Sequence, residues 1–373
     1  MGTTDTKPSL DAEHVLNSLN DGLYTVDTDR TILYWSKAAQ EITGWAPEDV
    51  VGKHCRDDVL CHVDKDGHEL CGEEHCPLHR AMVTRSGSTT PIIVFAQCKD
   101  GGRVPLRVSV APVENETGDV VGGVETFRDL SDELQSIHRA QKIQALTLEA
   151  DLPEDERIAF NTHYVPCDVI GGDHYAVAQL SANCYGFMMA DITGHGVAAA
   201  LYTMYLSSLW DAHRHLLLQP MEFCRTVDET LCRLFKGTGP FAATLCGLVD
   251  LQSNTLRLIG AGSPPPLHIR ADGSFEIINC SGVPLGYMED MPHDDVTVDL
   301  SAGDTVLMFS DGATEVSIGE NDYLDTTGLM EILKTLGYPQ SGVSLETVER
   351  EILKSSDRIR FDDDLTFFEM KLT

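Results

Sequence analysis

The sequence predicts an α+β protein of two domains joined by a helix, and three observations lead to this fold class. The chain has 373 residues, which is enough for two domains or three. Residues 11–128 hold five strand-like runs separated by turns, and residues 129–150 follow a helical heptad pattern. Residues 151–373 mix strand-like and helix-like runs, whereas the polar residues 1–10 are interpreted as a flexible tail.

The charge balance limits the kinds of partner that we expect. Acidic residues number 59 and basic residues 27, so the formal net charge is −32. This surplus of negative charge argues against binding to nucleic acid or to an anionic membrane. No apolar run approaches the roughly 20 residues of a membrane span, and no signal-peptide pattern is present. Eleven cysteines in such a chain are typical of mostly free thiols in a reducing compartment, so we expect a cytoplasmic protein.

The pattern of the first half predicts a small sheet with short helices. The strand-like runs are residues 22–27, 31–35, 90–97, 104–113 and 120–128. The first two flank the turn Thr28-Asp29-Arg30 and predict a hairpin. Clusters of glycine, aspartate and asparagine separate the last three runs, as expected for tight connections between strands.

This half resembles a PAS domain over about residues 10–130. The matching segments, in family order, are Asp21-Gly22-Leu23, Ala38-Ala39 through Thr43-Gly44-Trp45, Glu48-Asp49-Val50-Val51-Gly52-Lys53 and Phe127-Arg128-Asp129-Leu130-Ser131. The resemblance implies a five-stranded antiparallel sheet flanked by helices and used as a sensor or dimerisation module. PAS domains differ widely in ligand, so the fold does not name the signal.

One connection in this half is dense in cysteine and histidine. Its cysteines are Cys55, Cys61, Cys71 and Cys76, and its histidines are His54, His62, His68, His75 and His79. Thiolates with imidazoles suit Zn²⁺ or an iron–sulfur cluster, although the spacing is not that of regular Cys-x2-Cys pairs. Free cysteines in a variable loop, or a redox disulfide, remain the alternatives.

The segment 129–150 carries an apolar seam with helical spacing. The seam positions are Leu130, Leu134, Ile137, Gln141, Gln144 and Leu148. Spacings that alternate between four and three residues over about three heptads predict a parallel two-stranded coiled coil, and hence a homodimer. A solvated, single-stranded amphipathic helix is the alternative.

Four strand-terminal aspartate sites stand out in the second half. An apolar run from Tyr185 ends on Asp191. Aspartates also lie at the ends of strand-like runs in Gly171-Gly172-Asp173, Ser310-Asp311-Gly312 and Asp362-Asp363-Asp364. Oxygen ligands suit Mg²⁺ or Mn²⁺, and their dispersal excludes a contiguous calcium loop. Converging carboxylates indicate a binuclear site for phosphoryl chemistry, with metals roughly 3.5–4 Å apart.

This half resembles the PPM-type metal-dependent serine/threonine phosphatases of the bacterial RsbU, RsbP and SpoIIE group, and the PAS–helix–phosphatase layout is closest to that of RsbP. The matching motifs are Gly171-Gly172-Asp173-His174-Tyr175, Asp191-Ile192-Thr193-Gly194-His195-Gly196, Ala243-Thr244-Leu245, Gly260-Ala261-Gly262-Ser263-Pro264-Pro265, Gly282-Val283-Pro284-Leu285-Gly286, Ser310-Asp311-Gly312 and Asp363-Asp364-Leu365-Thr366. The resemblance covers about residues 150–373 and implies an α-β-β-α sandwich.

The resemblance also implies two Mn²⁺ or Mg²⁺ ions, which would activate water for in-line attack on a phosphoserine. The implied ligands, catalytic through these metals, are Asp173, Asp191, Ile192 through its backbone carbonyl, Asp311 and Asp363. The sequence leaves Asp364 open as an alternative to its neighbour Asp363. His195 is interpreted as part of the turn and not as a general acid.

The function that follows is a PAS-regulated protein serine/threonine phosphatase. The resemblance implies a phosphorylated STAS-type anti-sigma-factor antagonist as its substrate in a partner-switching pathway. The alternative is a catalytically silent phosphatase-fold binding module under a redox- or metal-sensing PAS domain. The presence of all four aspartate sites favours the enzyme.

Overall fold

The computed structural model describes residues 11–57, 59–65, 67–72, 75–88, 92–148, 152–194, 196–235, 239–288, 292–319, 322–340, 342–356 and 360–373. The expected flexible tail, residues 1–10, and His195 lie outside the described residues. The chain divides into two compact units, Met1–Ser136 and Ile137–Thr373. None of the described helices is long and apolar enough to cross a membrane.

The first unit is built around one antiparallel sheet. Its described helices are α1 (Ala12–Leu16), α2 (Lys37–Thr43), α3 (Pro47–Val50) and α4 (Pro77–Thr84). Its strands are β1 (Gly22–Asp27), β2 (Ile32–Trp35), β3 (Ile92–Gln97), β4 (Arg103–Glu114) and β5 (Val120–Asp129). The strand order is β2-β1-β5-β4-β3, with every neighbouring pair antiparallel. The predicted five-stranded antiparallel sheet is therefore confirmed.

Local sequence explains the turns of this unit. The Asp27 carboxylate accepts hydrogen bonds from the backbone N–H groups of Asp29 and Thr31 and so closes the β1–β2 hairpin. The Ser36 hydroxyl accepts from the Ala39 N–H and caps α2, which ends on Gly44 at φ +76°. Tyr24 and Phe127 pack their rings together in the sheet core.

Helix α5 (Ser131–Leu148) follows β5, and the division between the units falls within it. Along α5, the seam residues Leu134 and Ile137 are half-buried, whereas Ile143 and Leu146 are 52% and 74% exposed. The seam residue Gln144 is buried against its own domain, as described below. The predicted coiled coil is not confirmed.

The second unit contains two further five-stranded sheets. Its described strands are β6 (Ile158–Val165), β7 (His174–Gln179), β8 (Cys184–Ile192), β9 (Ala242–Asp250), β10 (Thr255–Ala261), β11 (Leu267–Ile269), β12 (Phe275–Ile277), β13 (Asp294–Asp299), β14 (Thr305–Phe309), β15 (Ser317–Gly319), β16 (Asp322–Tyr323) and β17 (Leu365–Leu372). Its helices are α6 (Val197–His213), α7 (Pro220–Phe235), α8 (Thr326–Leu336) and α9 (Leu345–Ser355). One sheet has the order β13-β10-β9-β8-β7 and the other β12-β11-β14-β17-β6.

The two sheets pack face to face with helices outside. Inner-face residues of both sheets share one core, in which Phe187 of β8 stacks on Phe368 of β17. A second core lies between α6, α7 and the first sheet, and a third between α8, α9 and the second sheet. This arrangement is the predicted α-β-β-α sandwich, and all of the strand pairs in both five-stranded sheets are antiparallel.

Candidate active site

The predicted aspartates lie at strand ends on the two facing sheets. Asp191 is the penultimate residue of β8, and Asp173 immediately precedes β7. Because His174 pairs with Ala190, the antiparallel register brings these two aspartates to the same end of the first sheet. Asp311 follows β14 and Asp363 precedes β17, which is the neighbour of β14 in the second sheet. The sandwich therefore gathers carboxylates from four separate chain segments.

Burial and neighbouring negative charge raise the pKa values of two of these carboxyl groups. The pKa of Asp191 is raised from 3.8 to about 10, first by burial and then by the negative charges of Asp173, Asp311 and Asp363. Asp173 is 1% exposed, and burial is also the main reason that its pKa lies well above the usual value. Without a counter-charge, such a cluster resists ionisation.

Two oxygens of this cluster lack hydrogen-bond partners among the described residues. They are Oδ1 of Asp173 and Oδ1 of Asp311, and both are buried. The other oxygen of Asp173 accepts a hydrogen bond of 2.5 Å from the Thr366 hydroxyl, which fixes the orientation of the carboxylate. Buried acceptors without donors are costly. Oxygen ligands of this kind, within a group of like charges, fit a hard divalent cation.

Glycines bring the backbone close to these aspartates. A Cβ at Gly172 would lie 2.9 Å from the carbonyl oxygen of Ile192 and 3.2 Å from that of Gly194. The loop after β8 also needs positive φ at Gly194 and Gly196, after which α6 begins. The Asp173 loop thus packs against the Ile192 carbonyl, as a shared metal site requires.

The structure separates the roles of Asp363 and Asp364. Asp364 is buried, and its carboxylate accepts hydrogen bonds from the backbone N–H groups of Cys167 at 2.8 Å and Gly172 at 2.5 Å. Asp363 is exposed and contributes to the raised pKa of Asp191. The Asp364 carboxylate therefore anchors the segment Gly171-Gly172-Asp173, which we call the glycine loop. This leaves Asp363 as the candidate ligand.

Three residues at the site were not foreseen from the sequence as functional. Thr366 orients Asp173, and the N–H of Cys167 anchors Asp364. Thr366 belongs to the motif Asp363-Asp364-Leu365-Thr366 at the start of β17. Its place in this motif is the feature of the sequence that could have indicated a functional role. Gln144 carried no such signal, because its spacing placed it on the helical seam.

Gln144 connects α5 to the glycine loop. It is 4% exposed, and its side-chain Nε2 donates to the Gly171 carbonyl at 2.7 Å. The Gly171 N–H donates in turn to Gln144 Oε1 at 3.4 Å. The predicted place of Gln144 on a coiled-coil seam is therefore wrong, because its amide pairs with a backbone donor and acceptor of its own domain. This contact lies two residues from Asp173.

Replacing Gln144 with alanine should weaken the site without unfolding the protein. Two backbone groups would lose buried partners, at a cost of about 1–3 kcal/mol. We expect the Mn²⁺ concentration for half-maximal activity to rise by roughly 5- to 100-fold. The matched control is Gln135→Ala, which removes an exposed glutamine from the same helix. Equal Mn²⁺ requirements in the two variants would show that the Gln144 contact does not position the site.

The cysteine-rich connection of the first unit lies partly in its interior. Cys55, Cys71 and Cys76 are each 6% exposed, whereas Cys61 is half-buried. The Cys61 thiol donates to the Arg56 carbonyl at 3.2 Å. The four cysteines are therefore not equivalent.

Comparison with known proteins agrees with both folds. Residues 181–373, more than half of the chain, match the family model described as Stage II sporulation protein E (SpoIIE). Residues 16–135 match a PAS fold model. Among solved structures, the SiaA-PP2C domain of Pseudomonas aeruginosa aligns with a TM-score of 0.54 at 19% identity, over 65% of this chain and 100% of that one.

Two proteins of known name are similar to this chain in sequence. Phosphoserine phosphatase RsbU of Bacillus subtilis (strain 168) is 21% identical over 306 residues, covering 82% of this chain and 88% of RsbU. Phosphoserine phosphatase RsbP of the same organism is 23% identical over 184 residues, covering 48% of this chain and 45% of RsbP. The match to RsbP thus spans less than half of that protein's length.

The sandwich has the fold of a PP2C-type phosphatase domain and follows a PAS domain in the chain. The chain belongs to the Stage II sporulation protein E (SpoIIE) family. The predicted combination of a PAS domain with a PPM-type phosphatase is therefore confirmed, and so is the predicted enzyme class, a protein serine/threonine phosphatase, at the level of the family.

Proposed function

We propose that this chain is a PAS-regulated phosphatase that releases phosphate from phosphoserine or phosphothreonine in a protein, with two Mn²⁺ or Mg²⁺ ions at the acidic cluster. The proposed ligands are Asp173, Asp191, the backbone carbonyl of Ile192, Asp311 and Asp363. The observation that carries the proposal is the convergence of four strand-end aspartates, two of which have a buried oxygen without a hydrogen-bond partner among the described residues. When bound, such ions lower the pKa of a water molecule and neutralise phosphoryl oxygens.

The chain's own side chains prepare this site in a defined way. The Thr366 hydroxyl holds one oxygen of Asp173, so that the other oxygen is left for a ligand. The Asp364 carboxylate accepts hydrogen bonds from the backbone N–H groups of Gly172 and Cys167, and the Gln144 amide donates to the Gly171 carbonyl. No protein nucleophile is required, because water is the attacking group in this chemistry.

The substrate that we propose is a phosphorylated STAS-type antagonist of an anti-sigma factor, in a partner-switching pathway. Support comes from the relatives named phosphoserine phosphatase, one of which aligns over 88% of its length. We also propose a cytoplasmic location. All eleven cysteines lie within the described residues and none is paired in a disulfide, which fits a reducing compartment.

The test is phosphate release by the full chain with Mn²⁺, Mg²⁺ or EDTA. A phosphoserine STAS protein should be turned over with Mn²⁺ and left intact with EDTA, and a phosphotyrosine peptide should be a poor substrate. Turnover of phosphoserine peptides but not of the STAS protein would reject the substrate and keep the chemistry. No metal-dependent turnover of any substrate would favour the catalytically silent binding module.

We further propose that the chain forms a homodimer through α5. The support is apolar surface on this helix: Ile143 and Leu146 are exposed, and Leu134 and Ile137 are half-buried. Light scattering at micromolar concentration should give twice the chain mass, and the double variant Leu134→Asp with Ile137→Asp should give the mass of one chain. A single-chain mass for the unmodified protein would contradict the dimer.

A further inference from the structure

Three large apolar side chains lie next to the strand ends that carry the acidic cluster and take no part in the proposed metal site. Tyr287 is 52% exposed, Met288 is 56% exposed and Phe241 is half-buried. We call these three residues the apolar shelf. Single exposed apolar residues are common on protein surfaces and need no explanation. The case for the shelf therefore depends on how its members are joined to one another and to the site.

Phe241 lies beside the chain segment of Asp191. It comes directly before β9, in which Ala243 pairs with Asp191 of β8. The pairing of the two segments extends beyond the strands, because the Thr193 N–H donates to the Phe241 carbonyl at 3.0 Å. The Phe241 N–H donates in return to the Thr193 hydroxyl at 3.1 Å. Phe241 is therefore held one strand away from a residue that is two positions from Asp191.

Tyr287 is joined to Phe241 through a ring contact and through the backbone. The two rings meet edge to face, with centroids 5.6 Å apart and planes at 90°, an arrangement that aromatic pairs favour. Two backbone hydrogen bonds of 2.9 Å pair Leu285 with Ala242, so the segment that carries Tyr287 and Met288 approaches the start of β9. The shelf therefore combines side chains from two neighbouring chain segments.

The segment that carries Tyr287 is also fixed against the helices. The Gly286 N–H donates at 2.8 Å to Oδ1 of Asp228, a residue of α7 that is 4% exposed. Gly286 has a φ of +83°, and a Cβ there would lie 3.1 Å from Leu231 Cβ and 3.2 Å from Tyr202 Oη. These restraints set the position of Tyr287. A surface that is ordered in advance loses little conformational entropy when a partner binds.

The chemistry of the shelf suits an apolar partner. None of its three side chains is charged, although the chain as a whole has 59 acidic and 27 basic residues. An aromatic pair beside a methionine offers a flat surface that adapts to the shape of an apolar side chain. Covering such a surface is favourable in proportion to the apolar area removed from water. The fitting ligand is thus an aliphatic or aromatic side chain.

We propose that the apolar shelf binds an apolar side chain of the phosphoprotein substrate, about three residues from the phosphoserine. The proposal rests on the proposed phosphatase function and narrows its substrate class. Neighbouring strands are about 5 Å apart, and the rings of Phe241 and Tyr287 are separated by a similar distance. An extended peptide advances about 3.3 Å per residue, so a phosphoserine at the acidic cluster places a residue about three positions away on the shelf.

The experiment measures kcat/KM of the full chain with Mn²⁺ on a set of phosphoserine peptides. The parent peptide has only serine and glycine around the phosphoserine, and every other peptide carries one leucine at a position up to four residues away on either side. We expect one leucine position to raise kcat/KM by about tenfold, mainly through a lower KM. In the double variant Tyr287→Ser with Met288→Ser, this preference for leucine should disappear.

Two control variants are measured with the same peptides. Tyr287→Phe retains the ring and should retain the preference for leucine. Leu218→Ser removes another exposed apolar side chain of the same domain and should also retain it. Each preference is a ratio of two substrates measured on one protein, so a partly unfolded preparation does not change it.

Binding measurements separate this proposal from the phosphatase proposal. Non-hydrolysable phosphonate analogues of the same peptides should show the same preference for leucine in Kd, about tenfold, whether or not the phosphopeptides are turned over. Such a preference without turnover would reject the enzyme and support the shelf. The proposal would be overturned if no leucine position improved kcat/KM or Kd, or if the preference survived in the double variant.

Discussion

Replacing Asp191 with asparagine should abolish phosphate release and, at the same time, make the metal-free protein more stable. Loss of a metal ligand removes several kcal/mol of transition-state stabilisation, so we expect a fall in turnover of at least about 10³-fold. Asp191 is the residue of choice because it lies beside Asp173, Asp311 and Asp363. The matched control is Asp299→Asn, which changes an exposed aspartate at the end of β13.

The expected gain in stability follows from the pKa of Asp191. Its value of about 10 in the folded protein exceeds the ordinary 3.8, so the folded state holds a proton that the unfolded state releases at neutral pH. Stability of the metal-free protein therefore falls as pH rises between these two values. An uncharged asparagine avoids this loss and should add roughly 2–4 kcal/mol at pH 7, with little gain near pH 4.

Thermal unfolding in EDTA, at pH 4 and pH 7, measures this effect, and Mn²⁺ should reverse the order of the two proteins. Mn²⁺ at 1,000 times its dissociation constant stabilises the unmodified protein by about 4.1 kcal/mol, which exceeds the gain expected from the asparagine. The asparagine variant should gain much less. If Asp191→Asn destabilises the metal-free protein at pH 7 while Asp299→Asn does not, the like-charge account of the cluster is wrong.

Replacing Gly171 with alanine should have the second largest effect. A Cβ at this position would lie 2.1 Å from the Tyr164 hydroxyl oxygen and 2.2 Å from Asp364 Oδ2. Neither contact can be accepted, so the glycine loop must shift and the hydrogen bonds of Asp364 must break. Overpacking of this kind costs about 1–3 kcal/mol. A displacement of about 1 Å near the chemistry costs about 100-fold in rate.

The control for this variant is Gly319→Ala, where the nearest atom to an added Cβ is 4.0 Å away. We expect Gly171→Ala to lower the unfolding midpoint by roughly 2–10 °C and to lose activity by at least about 100-fold. Gly319→Ala should be close to the unmodified protein in both respects. Full activity in Gly171→Ala would mean that the loop carrying Asp173 is not held as we describe.

Local sequence patterns were sufficient to predict the strands of the PAS sheet and the strand that ends near Asp191. The strands of the PAS sheet follow from apolar runs and turn residues, and the run that ends on Asp191 is strand β8. The convergence of Asp173 with Asp191 could also be anticipated, because glycine-flanked aspartates at strand ends are placed by strand register. Such features depend on the spacing of apolar residues along the chain and on contacts with few neighbouring residues.

The contacts that the sequence did not predict join residues far apart in the chain. Gln144 and Gly171 are 27 residues apart, and Asp364 and Gly172 are 192 apart. A heptad pattern cannot show whether a glutamine faces a second helix or the backbone of its own domain. In the same way, adjacent aspartates look alike until backbone N–H groups are seen to bind one of them.

The central claim is that the carboxylates at the strand ends form one two-metal centre. The most direct test is anomalous diffraction from crystals of the full chain grown with Mn²⁺. We predict two manganese peaks beside Asp191, contacted by Asp173, the carbonyl of Ile192, Asp311 and Asp363. Manganese found instead between Cys167 and Asp364, or absent from the strand ends at saturating Mn²⁺, would contradict the claim.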